Sequence, residues 1–436
     1  MNPAKRFNYP DSYYQQSIKT LETALNTAPA YSSWKSFDPG NGTYIDQRYE
    51  AMPELTKQII RDHFPTGLVP NHRNIEEGLR LEEIEYTYTS GTTGDRVINI
   101  WDQAWWDAAE AASWKLNSHL AKLDYPQKEV KLASSLNVGI SCEEDLPFEH
   151  RIVGNKLYLN EKINLIQWQK RHYARMAEEL RSFQPVILEA NPSLLTRLAY
   201  WAIDEGVKMY SPAVIVFTYE FISAIHLKAI RSVFSSPLLS SFGTTETGFV
   251  LEECEKGYLH QNMDFCRIDF HPLKDQYGGP EMGRMLVTTF GNPWNTVIRF
   301  DTGDLIRLHQ CAECPCGRKE GLIAEAVEGR VTNSTFSTIG EMITTMDLDK
   351  ALVQVKGIRD YHLEQNSSKS YELQLMTDGQ SNPGIICDEA RHVLETLYGQ
   401  DGEFDIKILP NILPGPAGKF RRTQVNFDFD VRGLFV

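Results

Sequence analysis

Glycine and hydroxyl residues crowd into one short segment of this chain, between residues 86 and 94. Its densest part holds four hydroxyl residues and two glycines: Thr89, Ser90, Gly91, Thr92, Thr93 and Gly94. The glycines let the backbone approach an anion closely, and the hydroxyls can donate hydrogen bonds to phosphate oxygens. The segment therefore predicts a phosphate-binding loop after a strand. A polar surface turn accounts for it equally well, and no Walker phosphate motif occurs in the chain.

A second segment, residues 240–248, places an aromatic ring, hydroxyls and a carboxylate on one short loop that contains glycine. Its central residues are Phe242, Gly243, Thr244, Thr245 and Glu246. The phenyl ring could stack on a base, Thr245 could donate a hydrogen bond to a phosphate, and Glu246 could hold a divalent cation. A helix cap explains the same residues if this segment is considered alone.

Two further segments carry charged residues suited to the same kind of ligand. Residues 297–304 end in Asp304 after a strand-like run, and a carboxylate there can accept hydrogen bonds from both hydroxyls of a ribose. Residues 414–422 present Lys419 after a run of proline and glycine, as a mobile positive charge that could meet an oxyanion and a phosphate. A polar hairpin turn and a solvated basic turn are the structural alternatives.

The composition sets bounds on the class of protein. A chain of 436 residues is too long for one ordinary core, and its 42% hydrophobic and 23% charged residues are typical of a soluble globular protein. The net charge of -14 argues against general nucleic-acid binding. We find no signal-peptide pattern and no apolar run long enough to span a membrane, and seven cysteines do not form a disulfide framework. We therefore expect a cytoplasmic protein without membrane contact.

Strand-like and helical patterns alternate in the middle of the chain. The apolar run at residues 185–190 precedes a helical pattern at 193–202, and the run at 213–218 precedes another at 222–230. That alternation is typical of parallel α/β units. The amphipathic spacing of the first 80 residues predicts that they are mostly helical.

The pattern changes after residue 330. Two helical segments, near residues 347–355 and 387–397, are separated there by strand-like runs. We therefore predict an α/β protein with a large N-terminal part of several subdomains, residues 1–329, and a small mobile α+β domain, residues 330–436.

In order and spacing, the four segments resemble those of the adenylate-forming superfamily of acyl-CoA synthetases. The closest likeness is to the phenylacetate–CoA ligase family and its relatives in coenzyme and capsule biosynthesis. The resemblance covers roughly residues 80–425 and includes Glu328-Gly-Arg330 at the position of the family's inter-domain hinge. It implies a large adenylate-forming domain followed by a small mobile one.

The resemblance also implies an activity. An aryl or arylacetic acid would be activated by ATP as its acyl-adenylate with release of pyrophosphate, and would then pass to CoA or a carrier protein as a thioester. Two alternatives stay open. The adenylate could go to a non-thiol acceptor such as an amine, a hydroxyl or a partner reductase, or the chain could bind nucleotide without turnover.

Roles at the nucleotide follow from the same resemblance. Residues 90–94 would grip the β- and γ-phosphates of ATP, and Phe242 would flank the adenine. Thr245 would contact the α-phosphate and Glu246 would bind Mg²⁺. The family usually has Lys-Pro after the phosphate loop, whereas this chain has Asp95-Arg96, so the leaving group would be held differently.

The remaining roles fall on the later segments. Asp304 would hold the ribose hydroxyls, with Arg330 close by, and Lys419 would bridge the carboxylate substrate and the α-phosphate. The family rotates its small domain to admit the thiol. Asn333 stands near the hinge where the family usually has aspartates, which puts the thioester half in more doubt than adenylation.

Cysteines and a histidine suggest a structural zinc site. Cys314 and Cys316 resemble the family's Cys-x-Cys-Gly-Arg, and Cys254 with His260 resembles its upstream partner. Three thiolates and an imidazole would make a closed tetrahedral site. Cys311 with Cys314 offers a Cys-x-x-Cys alternative, and reduced thiols without metal are a further possibility.

The expected partners are therefore small molecules: ATP, an aromatic acid, and CoA or a phosphopantetheinyl carrier. A homodimer is also compatible with the resemblance. The segment 133–140 could line the pocket for the acid, although a core strand and turn explain that segment better.

Overall fold

The computed structural model describes residues 2–89, 97–124, 126–134, 142–415 and 418–436. The α-helices in these ranges are α1 (Asp11–Thr27), α2 (Ile45–Ala51), α3 (Lys57–His63), α4 (Ile75–Arg80), α5 (Gln103–Trp114), α6 (Lys170–Phe183), α7 (Pro192–Asp204), α8 (Ala224–Val233), α9 (Thr345–Leu352) and α10 (Pro383–Tyr398). None of them is both long and apolar enough to cross a bilayer.

The strands of the same ranges are β1 (Glu85–Tyr88), β2 (Ile98–Trp101), β3 (Glu129–Leu132), β4 (Ile152–Val153), β5 (Lys156–Tyr158), β6 (Ile187–Ala190), β7 (Val214–Phe217), β8 (Leu238–Thr244), β9 (Gly248–Glu253), β10 (Leu259–Gln261), β11 (Cys266–Pro272), β12 (Met282–Thr289), β13 (Phe300–Leu308), β14 (Ile323–Arg330), β15 (Thr335–Phe336), β16 (Met342–Ile343), β17 (Ile358–Gln365), β18 (Ser370–Thr377), β19 (Glu403–Ile408) and β20 (Thr423–Val425).

One large sheet dominates the fold, in the order β11-β12-β13-β14-β10-β9-β8-β7-β6-β3-β5-β4. Strands β5, β3, β6, β7 and β8 are parallel, and from β8 to β11 every pairing is antiparallel. The predicted alternation of strands and helices corresponds to β6, α7, β7 and α8, so the α/β prediction is confirmed. Buried leucines of these elements form the core beneath the parallel half, as expected for strands covered by helices.

Strand β8 changes its pairing along its length. Its first residues, Leu238–Ser240, pair with parallel β7, and Ser241–Thr244 pair with antiparallel β9. A tight turn then joins β8 to β9. Ligands of open α/β sheets bind at the carboxyl ends of the parallel strands, and the second predicted segment lies at that edge.

A four-stranded sheet in the order β19-β18-β17-β20 forms a second, smaller unit, with α9 and α10 sharing its apolar core. Helix α10 begins four residues before the predicted pattern, because Asn382 caps it and Pro383 occupies its first turn, where a missing N–H costs nothing. Strand β14 of the large sheet ends at Arg330. The boundary at residues 329 and 330 stays a prediction.

The last residues of the chain return to the large sheet. The Val436 amide donates to the Pro272 carbonyl at 3.1 Å, and the Lys274 amide donates to the Leu434 carbonyl at 2.9 Å. Phe435 is buried among apolar side chains that include Val331, beside the predicted hinge. This tail therefore contacts the large unit, although it lies within the range predicted for the mobile domain.

Gly243 closes the β8–β9 hairpin, and a side chain there would collide with backbone. A Cβ on Gly243 would lie 2.3 Å from the carbonyl oxygen of Gly248. We expect Gly243→Ala to lower the free energy of unfolding by about 1–3 kcal/mol, measured by urea denaturation. Gly42→Ala is the control, because a Cβ on Gly42 meets nothing within 4 Å. Equal stability of the two variants would contradict this account of the hairpin.

Candidate functional site

The predicted phosphate loop is described only at its base. Thr89 is buried, its amide donates to the Val97 carbonyl at 2.9 Å, and the Val97 amide donates to the Thr89 hydroxyl at 2.9 Å. Together with the β1–β2 pairing, these bonds close the base of a loop between two strands. The loop residues themselves, Ser90, Gly91, Thr92, Thr93 and Gly94, lie outside the described residues, as do Asp95 and Arg96.

The turn after β8 buries one carboxylate. The hydroxyls of Thr244 and Thr247 lie 2.9 Å apart and close this turn, and Thr245 stands at its tip, partly buried. Glu246 is only 5% exposed, and its Oε1 atom accepts no hydrogen bond from the described residues. Lys57 Nζ lies 3.8 Å from that oxygen. A buried carboxylate oxygen that faces Lys57 but accepts no hydrogen bond from the described part of the chain thus lies beyond the carboxyl end of β8.

The aromatic residue of this segment faces the antiparallel half of the sheet. Phe242 pairs with Leu251 on β9, and its partly buried ring packs against the apolar core of that half. The proposed contact with adenine stays a prediction.

Strands β13 and β14 place Asp304 opposite Arg330, with 3.9 Å between Asp304 Oδ1 and Arg330 Nε. Asp304 is 9% exposed. Burial raises the pKa of its carboxyl, and the positive charges of Arg330, Lys419 and Lys57 oppose that rise. One buried carboxylate therefore lies beside Arg330 and is influenced by the charges of Lys419 and Lys57.

Lys419 of the small unit faces the same group. It is partly buried, and burial together with the charge of Arg330 lowers the pKa of its ammonium, while Glu220 and Asp304 act in the opposite direction. The structure thus brings Lys419, Asp304 and Arg330 together, and Lys57 joins this cluster to Glu246.

Sequence reasoning missed Lys57 and Glu220. Lys57 opens helix α3, and nothing in the sequence connects that helix to the later segments. Glu220 follows β7 by three residues. Its place after a predicted parallel strand was a usable signal, since the carboxyl ends of parallel strands share one edge.

The cysteines and the histidine meet away from the charged cluster. Cys254 Sγ lies 3.8 Å from Cys314 Sγ, and Cys316 Sγ lies 3.4 Å from His260 Nε2. All four ligand atoms lie within 4.8 Å of one another. Adjacent pairing of β9, β10 and β14 brings them together. Cys311 is exposed and is not part of this group.

The histidine of this group is suited to bind a metal. Burial and the charge of Arg318 lower the pKa of His260 to about 4, so its ring is neutral at pH 7. Metal ions bind the neutral form of imidazole.

Comparison with known proteins found no matching family model. Protein CapK of Staphylococcus aureus is 20% identical over 383 residues, covering 85% of this chain and 78% of that protein. A benzoate CoA ligase from Burkholderia xenovorans aligns at 13% identity over 78% of this chain and 68% of its own, with a TM-score of 0.51.

A larger share of the chain aligns with 2-hydroxyisobutyryl-CoA ligase. In its postadenylation state, in complex with 2-HIB-AMP, that ligase aligns at 17% identity over 96% of this chain and 89% of its own, with a TM-score of 0.72. Against its thioesterification state with CoA, the coverage is 95% and 89%, the identity is 18% and the TM-score is 0.56.

The buried carboxylate of Asp304 has a predicted cost for stability. Because burial raises its pKa, its charged form is less favourable in the folded chain than in the unfolded one. We expect Asp304→Asn to raise the melting temperature at pH 8, and this gain to vanish at a pH below the unfolded carboxyl's pKa of about 3.9. Asp301→Asn is the control and should not stabilise, since it breaks an ion pair with Arg284. If calorimetry shows that Asp304→Asn melts at a lower temperature than the wild type at pH 8, the charged carboxylate does not lower the stability.

The alignments with 2-hydroxyisobutyryl-CoA ligase cover nearly the whole chain, but at identities of 17–18% they carry the architecture alone. The chain therefore has the fold of the acyl-CoA and aryl-CoA ligases of the adenylate-forming superfamily.

Proposed function

We propose that this protein activates a carboxylic acid with ATP, forming an acyl-adenylate and releasing pyrophosphate. The observation that carries the proposal is the convergence of Glu246, Asp304, Arg330 and Lys419 at the ligand edge of the sheet. These residues come from four separate segments. The fold adds support, because proteins that share it bind acyl-adenylates.

Glu246 is suited to bind Mg²⁺. Its buried Oε1 accepts no hydrogen bond among the described residues, and a hard cation prefers such an oxygen. When bound, the ion would offset the negative charge of the triphosphate. Lys57, 3.8 Å away, would add a second positive charge near the phosphates.

The reaction requires the protein to position its substrates and does not require a nucleophile from the protein. A carboxylate oxygen of the substrate attacks the α-phosphorus; a new oxygen–phosphorus bond forms, the bond to the bridging oxygen breaks, and pyrophosphate leaves. Asp304 would accept hydrogen bonds from the ribose hydroxyls. Lys419 would hold the attacking carboxylate against the α-phosphate and stabilise the charge that develops there.

We propose an aryl or arylacetic acid as the substrate and CoA or a carrier protein as the acceptor. The family resemblance supports both, and the benzoate ligase shares the fold. The higher similarity to a postadenylation state than to a thioesterification state agrees with a small unit placed for the first half-reaction. Transfer to an amine, a hydroxyl or a reductase partner is the alternative outcome.

Pyrophosphate exchange tests the proposal directly. Labelled pyrophosphate should enter ATP only when a suitable acid from a panel of aryl and aliphatic acids is present, with no need for CoA. Adding CoA or a phosphopantetheinyl carrier and measuring thioester by mass would then identify the acceptor. Binding of ATP without exchange for any acid would favour a non-catalytic nucleotide-binding protein.

Lys419→Ala should lower the exchange rate at least about 100-fold, because the ammonium acts mainly on charge that develops in the transition state. ATP affinity should change by less than about tenfold. Lys407→Ala is a matched control, since Lys407 lies in the same unit but is exposed and paired with Glu372. Equal losses of affinity and rate would contradict the role of Lys419.

We also propose a structural zinc ion held by Cys254, His260, Cys314 and Cys316. Zinc–sulfur bonds of about 2.3 Å place tetrahedral ligand atoms about 3.6–3.8 Å apart. The separations of 3.8 Å between two sulfurs and 3.4 Å between sulfur and nitrogen fit that geometry. The ion would join β9, β10 and the loop before β14.

Metal analysis by mass spectrometry should find about one zinc per chain in protein expressed with added zinc. Cys254→Ser should lose the metal and melt at a lower temperature. Cys311→Ser should keep it, because Cys311 lies outside the group. Wild-type protein without zinc, or equal loss in both variants, would exclude this site.

A further inference from the structure

The residue after Lys419 is anchored in the large unit. Phe420 is 6% exposed, and its ring belongs to the apolar core beneath the parallel strands, together with side chains of α7 such as Leu194 and Leu198. The guanidinium carbon of Arg197 lies 5.1 Å from the centre of the ring. A side chain of the small unit thus occupies the core of the large one.

Glu220 holds the backbone at the same point. The amide of Phe420 donates a hydrogen bond to Glu220 Oε2 at 3.2 Å. Ser193 Oγ donates to the same oxygen at 3.2 Å, and Asn191 donates to Oε1. Asn191 also caps α7, so two contacts hold this carboxylate on the large unit and the third joins it to Phe420. Burial raises the pKa of Glu220 to about 6, which leaves it ionised at pH 8.

A second contact continues the attachment two residues farther on. Arg422 Nη2 donates to Ser193 Oγ at 2.8 Å, and the same guanidinium is paired with buried Asp360 of β17. Ser193 therefore connects Glu220 to the small unit's own charged core. The segment that carries Lys419 is thus held by the buried ring of Phe420, by the hydrogen bond of its amide to Glu220, and by the guanidinium of Arg422.

We propose that Glu220 is a positioning residue for adenylation, which together with Phe420 fixes the backbone beside Lys419 so that its ammonium faces Asp304 and Arg330. A lysine has a long flexible stem, so the placement of its charge depends on where its backbone is held. Glu220 acts through the Phe420 amide and need not contact the substrate. This inference rests on the proposed role of Lys419 in adenylation.

Amide hydrogen exchange tests, without any substrate, whether Glu220 and Phe420 hold the segment around Lys419. At pH 8, peptides that cover residues 418–425 should exchange slowly in the wild type and faster in Glu220→Ala and Phe420→Ala. Glu220→Gln should lie between the wild type and Glu220→Ala, because its one amide oxygen can still accept from the Phe420 amide while its amide nitrogen cannot accept from Asn191. Asp204→Asn is the matched control: it breaks the Asp204–Arg359 pair, another contact between the two units that does not touch the lysine segment.

Kinetic measurements test whether holding this segment matters for adenylation. Glu220→Ala should lower the rate of acid-dependent pyrophosphate exchange about 10–100-fold, as expected for a misplaced group, and change the KM for ATP little. Asp204→Asn should stay within about threefold of the wild type, and Glu220→Gln should lose less activity than Glu220→Ala. In a Lys419→Ala background, adding Glu220→Ala should cause no further loss, because a positioning residue has nothing left to position. If Glu220 had only a structural role, the double variant would lose activity by the product of the two single losses.

If Glu220→Ala leaves the hydrogen exchange of residues 418–425 unchanged, Glu220 does not hold this segment, whatever the activity of the protein. If Asp204→Asn increases that hydrogen exchange equally, the effect of Glu220→Ala is not specific to the contact with Phe420. If the wild type catalyses pyrophosphate exchange and Glu220→Ala matches it, the positioning role fails while the proposed function stands. If the wild type shows no pyrophosphate exchange with any acid, the proposed function fails, and the positioning role in adenylation fails with it.

Discussion

The change of partner along strand β8 is the constraint on which the rest of the site depends. One strand with a parallel neighbour at its start and an antiparallel one at its end must continue past the edge where the other parallel strands stop. Its tight turn, which carries Glu246, therefore lies beyond the carboxyl ends of the parallel strands. Gly243 makes the turn possible, because the Gly248 backbone occupies the space of a side chain.

Charge is distributed around that turn in a way that suits a polyanion. Lys57, Arg330 and Lys419 bring three cations toward Asp304 and Glu246, although the chain as a whole carries a net charge of -14. Positive charge concentrated in one crevice can attract an anionic ligand regardless of the net charge of the molecule. Lys419 is followed directly by Phe420, whose ring lies in the apolar core beneath the parallel strands and whose amide donates to Glu220.

The alternation of strands and helices was predictable from β6 and β7, because each mainly apolar run is followed by a helical pattern. The capped start of α10 was predicted less well, because Asn382 and Pro383 extend the helix beyond its apolar pattern. The group of Cys254, His260, Cys314 and Cys316 was suggested by resemblance, and antiparallel pairing places its atoms within ligand distance. The place of Lys57 in the site could not be predicted from the sequence, because its neighbours in space are far away in the chain.

The sequence by itself determined the fold class and the chemical types available: hydroxyl and glycine near residue 90, carboxylates at Glu246 and Asp304, and a lysine after a flexible segment. These are local properties, set by residue identity and short-range spacing. Only the tertiary structure decided which charges face one another, that Glu220 holds the Phe420 amide, and that the C-terminal tail returns to the large sheet. Such contacts join residues up to hundreds of positions apart, and they follow from how the apolar faces of the elements are buried together, which no short segment specifies.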